Sequence, residues 1–483
     1  MRNGQEVHRR GLFRSLAGGV SAAAMLSLLD SESGVARGAV RAEDESGRPR
    51  GPVHEPSATS VIHLFMNGGP SQMDLLDPKP ELVRRHGQEH FDRIAGEVEF
   101  PDAAGALLGS PFRFAQYGQC GMWVSELLPE LSRHVDELSL LRGLYTTNLT
   151  HEPALYKYHS GSEFTGRPSL GAWITWGLGS ENQNLPGYVV LEDPQGLPVN
   201  GVDNWTSGFL PASFQGTRFR ATGAPVLNVS PDFVEPASVT AVERQLIRRL
   251  DRLHQQNRAG QSRLESRIEA WELAARMQTS ATDALDLSQE TAATLELYGI
   301  GREPTDSYGR RCLIARRLVE RGVRFVQLFI NSQIWDNHSS IGTALPAACA
   351  RTDRPIAGLL TDLKQRGLLD QTLLVWGGEM GRLPISQLAA DRNPGSSGRD
   401  HSKNAMVAWL AGGGVRGGVV HGSTDELGFA AVDGRVGVPD LHATLLHLLG
   451  LGADDVYVSR AGLKERLTGV VEPTVIREIL VRA

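Results

Sequence analysis

The chain has 483 residues, 41% hydrophobic and 22% charged, with a formal net charge of −6. This is the composition of a globular protein, which excludes a fibrous or wholly disordered chain. The first 42 residues carry six arginines and three acids, so the body is more acidic still, at −9; that argues against nucleic acid as a partner, which is held through Lys and Arg on phosphates. Three cysteines are too few for a disulfide framework or a Cys-rich zinc site.

In chain order, Arg9-Arg10-Gly11-Leu12-Phe13-Arg14 precedes a mild apolar stretch from Leu16 to Leu29, and Val40-Arg41-Ala42 offers small residues for cleavage. These are the parts of a twin-arginine (Tat) signal over residues 1–42, predicting recognition by the Tat export machinery and a periplasmic or extracellular destination. The alternative is a basic amphipathic N-terminal helix. Because the Tat route carries folded cargo, the signal raises the expectation of a metal loaded before export. Residues 43–58 are polar and read as a linker. No apolar run reaches the roughly 18–20 residues that span a bilayer, so no transmembrane segment is predicted.

From residue 59 onward, short apolar runs bounded by turn residues predict strands at 60–66, 137–144, 187–191, 324–330, 372–376 and 405–410. Helices are predicted at 125–134, 356–366 and 441–449, with Asp440 as N-cap of the last and His442 structural. Residues 238–292 are polar and helix-forming, a surface insertion; residues 192–236 read as an irregular excursion. Buried strands alternating with helices predict an α/β fold: a doubly wound, mostly parallel sheet covered on both faces, spanning 59–483.

Ligands of open α/β sheets bind at the carboxyl edge of the strands. Polar residues gather there: Asp74 after the first strand, Asp336 and His338 after the fourth, Glu379 and Arg382 after the fifth, and His401 just before the sixth. Carboxylate oxygens with imidazole nitrogens suit a divalent metal ion: Zn, Mn or Fe, or Ca or Mg where oxygens dominate. Each element alone has a plainer reading, Asp336 with His338 as a loop hydrogen-bond pair, Glu379 as a helix cap, His401 as a surface residue; convergence from four strand ends favours the metal. There is no phosphate-binding loop and no Gly-x-Ser-x-Gly elbow.

The segments HLFMNGGPSQMDLLDPKPEL (63–82), RPSLGAWITWGLG (167–179), GVRFVQLFINSQIWDNHSS (322–340), VWGGEMGRLP (375–384), GRDHSKNAMVAWLAGGGVRGG (398–418) and PDLHATLLHLLGL (439–451) resemble the Tat-exported domain of unknown function 1501 family. That family is grouped with the alkaline phosphatase/sulfatase-like superfamily. The resemblance implies the same fold and metal-dependent hydrolysis of phosphate or sulfate esters, with an anionic small-molecule or polysaccharide ester as substrate. Carried over by position, it implies metal ligands at Asp74 (with Asn67 as the alternative), Asp336, His338, Glu379 and His401. Met380 stands where a His ligand is expected. His151 occupies the place of the sulfatase nucleophile cysteine, with Leu155 where an Arg belongs, which excludes a formylglycine mechanism. His151 then serves as base, nucleophile or ligand, the adjacent Thr150 is a second candidate nucleophile, and Arg382 is either a bidentate clamp on an anionic oxygen or a surface salt-bridge residue. The rival reading is a catalytically degenerate binding or assembly protein on the same fold.

Overall fold

The computed structural model describes residues 51–220, 236–256, 258, 262–330, 333–388 and 396–482. The signal-peptide reading for 1–42 and the first half of the linker, 43–50, lie outside them. The chain divides into two compact units. The smaller takes in residues 227–275, whose described residues lie mainly within the helices α3 (Ala237–Gln256) and α4 (Ser262–Leu285). The larger unit carries the sheet.

Its nine strands are β1 (Ser60–Phe65), β2 (Leu138–Tyr145), β3 (Tyr188–Leu191), β4 (Thr217–Phe219), β5 (Phe325–Phe329), β6 (Thr372–Gly377), β7 (Met406–Ala411), β8 (Val419–His421) and β9 (Val436–Gly437). They stand in the order β8-β2-β7-β6-β1-β5-β3-β4, with β9 also paired to β2. Every pairing is parallel except those of β7, which runs antiparallel to both β6 and β2. All six strands read from the sequence are present. Their central residues are buried on both faces, which is why they read as unbroken apolar runs rather than alternations.

Helices cover both faces. On one, α1 (His151–Ser160), α2 (Leu170–Leu178) and α7 (Val438–Leu448) share a core with Val61, Phe65, Phe325, Val375 and Ala408. On the other lie α5 (Asp306–Glu320) and α6 (Ile341–Gln365); Ile356 of α6 lines a small cavity with Trp376 of β6. The helix expected at 125–134 is not there. Met122–Ser125 pairs with Phe114–Tyr117 as a hairpin, and only a 3-10 turn at Leu131–Glu137 follows, because Pro129 disfavours helix at the residue before it. The irregular excursion conceals the three-residue strand β4, too short to leave a period.

Beneath α1 the core is polar. His63, His159 and His442 are all but fully buried. His63 and His159 each turn Nδ1 toward the Gln327 amide, at 3.3 and 3.2 Å, and Nε2 of His442 donates to the Tyr158 carbonyl at 2.7 Å. Burial pushes His63 down to about 3 and His442 down to about 4 and depresses His159 as well, so the fold holds all three neutral. An unfolded histidine takes its proton near pH 6.5. Their contribution is therefore complete above that pH and is lost as pH falls toward 4, each histidine adding about 1.4 kcal/mol per pH unit to the slope. Denaturation followed from pH 7 to 4 should show stability falling steeply below 6.5. In His442→Gln the slope should flatten by about one proton's worth, whatever the stability at pH 7; an unchanged slope would contradict the assignment.

Candidate functional site

The eight parallel strands end at one edge of the sheet, and the antiparallel β7 begins there. The loops after β1, β5 and β6, the segment entering β7, and the N-terminus of α1 are thereby brought together. The close approach needs glycine: Gly68 has φ of +108°, and a Cβ there would sit 2.5 Å from the backbone nitrogen of Asp336.

At this edge three imidazoles surround one carboxylate. Nε2 of His338 lies 2.8 Å from Oδ1 of Asp336, Nε2 of His401 lies 3.2 Å from the same oxygen, and Nε2 of His151 lies 3.3 Å from Oδ2. The two Nε2 atoms of His338 and His401 are 2.9 Å apart. Each ring is held from behind through Nδ1: His151 donates to Glu379 at 2.7 Å, His338 to the side-chain oxygen of Gln387, and His401 to Glu99. Glu379 is in turn fixed by the backbone N–H of Gly68, at 2.9 and 3.1 Å. With the ring proton of His338 and His401 placed on Nδ1 by these acceptors, both Nε2 lone pairs point inward at each other and at Asp336. Such a gathering of acceptors is relieved by a proton or by a cation.

The donor set fits a cation. One ligand atom from each of His151, Asp336, His338 and His401 lies within 4.8 Å of all the others, and the outer acceptors are those that fix imidazole ligands in metal sites. The pocket is not sealed: side-chain exposure is 26% at His338, 17% at Asp336 and 12% at His151. Closed structural metal sites lack such an opening, whereas catalytic ones keep a position free.

The electrostatics follow from the crowding. Burial alone would raise Asp336, but the Arg382 guanidinium and the three histidines hold its carboxyl far below the usual range. Burial alone would lower His151; the carboxylates of Asp336 and Glu379 together outweigh it and raise the imidazole to about 9. Glu99 is likewise kept below its ordinary value, its burial being outweighed by His401.

Of the residues expected from sequence, His151, Asp336, His338 and His401 meet directly, and Glu379 joins behind His151. Arg382 is 1% exposed and is neither a surface salt-bridge residue nor free to clamp a ligand. It pairs with Asp336 at 2.5 Å and donates to the carbonyls of Gly68, Gly69 and Arg399. Thr150 is exposed ahead of α1. Asp74 stands apart from the cluster: it is fully buried in a bidentate pair with Arg399, at 2.6 and 3.0 Å, and accepts from Ser71. Asn67 is 1% exposed, and its side-chain amide has no protein partner among the described residues.

Glu99, Gln387 and Asp400 were not foreseen. Asp400 adjoins His401 in sequence, and its oxygens accept from the backbone N–H groups of His401, Glu99 and Phe100, at 2.7, 3.0 and 3.0 Å. Glu99 and Gln387 carry no local signal, since only folding brings them to the histidines.

Residues 58–480 match the family described as Protein of unknown function (DUF1501). No curated protein matches the chain. Solved structures similar to it include a sulfatase from Pseudoalteromonas sp. (14% identity, TM-score 0.34, covering 89% of this chain and 71% of that one). Others are the lipoteichoic acid synthase of Listeria monocytogenes (10%, 0.35, 89% and 79%) and a phosphonate monoester hydrolase from Silicibacter pomeroyi (10%, 0.35, 88% and 77%).

Removing the Asp74 charge strands the Arg399 guanidinium where water does not reach. Asp74→Asn should therefore lower unfolding free energy by about 3–5 kcal/mol, while the folded fraction keeps its capacity for divalent cations. Denaturant titration beside metal analysis checks both; loss of the cation without loss of stability would return Asp74 to the ligand set.

Proposed function

The chain belongs to the DUF1501 family, and on that premise we propose that it is an exported, metal-dependent hydrolase of phosphate or sulfate esters whose centre is built from His151, Asp336, His338 and His401. One observation carries the reading: three imidazole Nε2 atoms converge on a single carboxylate, with the Nδ1 of each ring already committed to an outer acceptor. In zinc sites, ligand nitrogens and oxygens at about 2.0–2.1 Å from the ion lie roughly 3.3 Å from one another, and the spacings of 2.8 to 3.3 Å here are of that order.

When bound, a divalent cation supplies Lewis acidity toward an ester oxygen and toward water. The protein's own part is positional. With a cation in place, His151, His338 and His401 would turn unprotonated nitrogens toward it, their remaining ring protons going to Glu379, Gln387 and Glu99. Arg382 holds Asp336 in place and reaches a substrate only through it. The opening beside His338 and Asp336 admits the substrate from solvent. An anionic ester suits the donor set, since three neutral imidazoles and one carboxylate leave a divalent ion with a net positive charge. Among the described residues no helix is long and apolar enough to cross a membrane, and the twin-arginine N-terminus supports export of the folded protein.

Protein purified without chelator should carry about one divalent ion per chain, and His401→Ala or His338→Ala should lose it. Hydrolysis of p-nitrophenyl phosphate or p-nitrophenyl sulfate should follow metal content and vanish in Asp336→Asn. A chain that takes up none of Zn, Mn, Fe, Ca or Mg from excess sinks the proposal. Bound metal without turnover on either ester would favour the non-catalytic reading of the same centre. Glu99→Gln should stay folded and bind the ion roughly 10–100-fold more weakly, the effect of losing an outer partner of a ligand histidine.

A further inference from the structure

A large apolar side chain, Phe100, stands at the rim of the centre. Phe100 lies between the short turns Ala95–Glu97 and Pro101–Ala103 and is 42% exposed. Its ring stands edge-on to His338, with centroids 5.5 Å apart and an interplanar angle of 87°, and lies 6.2 Å from the ring of His401 at 64°. A single exposed apolar residue is ordinary on a protein surface. Phe100 differs in how it is held. Its own backbone N–H and that of Glu99 both donate to one oxygen of Asp400 at 3.0 Å, and the Glu99 carboxylate accepts from His401. The segment that delivers a ligand histidine therefore also fixes the phenyl ring beside it. The ligand residues beside it that are partly open to solvent, His151, Asp336 and His338, are polar, as is Glu99.

We propose that Phe100 is the platform on which the organic part of the substrate lies, so that the ester cleaved here bears a ring with a flat apolar face, aromatic or pyranose. This rests on the metal-centre reading above and adds the substrate class to it. A ring laid on exposed phenyl surface removes apolar area from water and gains stacking geometry, whereas a methyl group in the same place covers little of it.

The test uses full-length, metal-loaded protein and three stable phosphonates followed by calorimetry: phenylphosphonate for an aromatic ring, glucose 1-methylenephosphonate for a pyranose, and methylphosphonate for neither. Wild type should bind at least one ring-bearing probe about 10-fold more tightly than methylphosphonate, and the preferred probe tells the aromatic source from the pyranose one. Phe100→Ala should erase that preference and Phe100→Trp keep it, with metal content the same in all three proteins. A cation-loaded wild type that binds no probe, or binds all three within about twofold, overturns this inference alone, as does a Phe100→Ala chain that keeps the preference. A wild type that takes up no cation removes the underlying reading and this one with it.

Discussion

Asp336 is the group on which the site turns, because a carboxylate largely withdrawn from water must be surrounded by donors or cations to stay ionised. Three imidazoles and a guanidinium meet it, and each arrives from a different part of the chain. Arg382 serves as the brace. Besides Asp336, it donates to the carbonyls of Gly68 and Gly69 after β1 and to that of Arg399 ahead of β7, tying three strand ends to the loop after β5. The Trp335 N–H donates to the Asn67 carbonyl at 3.3 Å and tightens the same junction. A charged side chain excluded from water and saturated with acceptors has little freedom left, so the position of Asp336 follows from the ends of the sheet.

How far this could be read from the sequence depends on which forces act locally. The six long strands were legible because burial on both faces demands apolar residues in succession, as in Thr372–Gly377 and Met406–Ala411. His338, Asp336 and His401 were legible as candidates because polar residues abutting such runs must lie at a sheet edge. That β7 runs antiparallel, and so presents His401 at its start rather than its end, was not encoded in any period of the sequence. Asp74 misled for a related reason. A carboxylate a few residues beyond a strand looks like a ligand, and nothing near it reveals the buried Arg399, 325 residues away, that claims both of its oxygens. Glu99 and Gln387 were illegible altogether, since an outer partner needs only one oxygen in the right place and leaves no pattern behind.

His151 shows how the core reaches into the site. It is the first residue of α1, a ten-residue helix whose far end carries Tyr158 and His159. Those two rings pack on β1: His159 against Phe65 at 4.4 Å and Tyr158 against both Phe65 and His63, at 5.3 and 5.7 Å. A helix is stiff over so short a span, rising about 1.5 Å per residue, so seating its C-terminal end on β1 fixes where its N-terminal end falls. The left-handed Gly161 closes the helix with its N–H on the Lys157 carbonyl at 2.9 Å, which stops it at the length that this seating requires. His151 is thus placed by aromatic packing at the other end of its helix as much as by Glu379 and Asp336 beside it. The polar core under α1 and the histidine cluster at the sheet edge are two ends of one lever, and a change that shifts Tyr158 or His159 on β1 must move the imidazole that completes the centre.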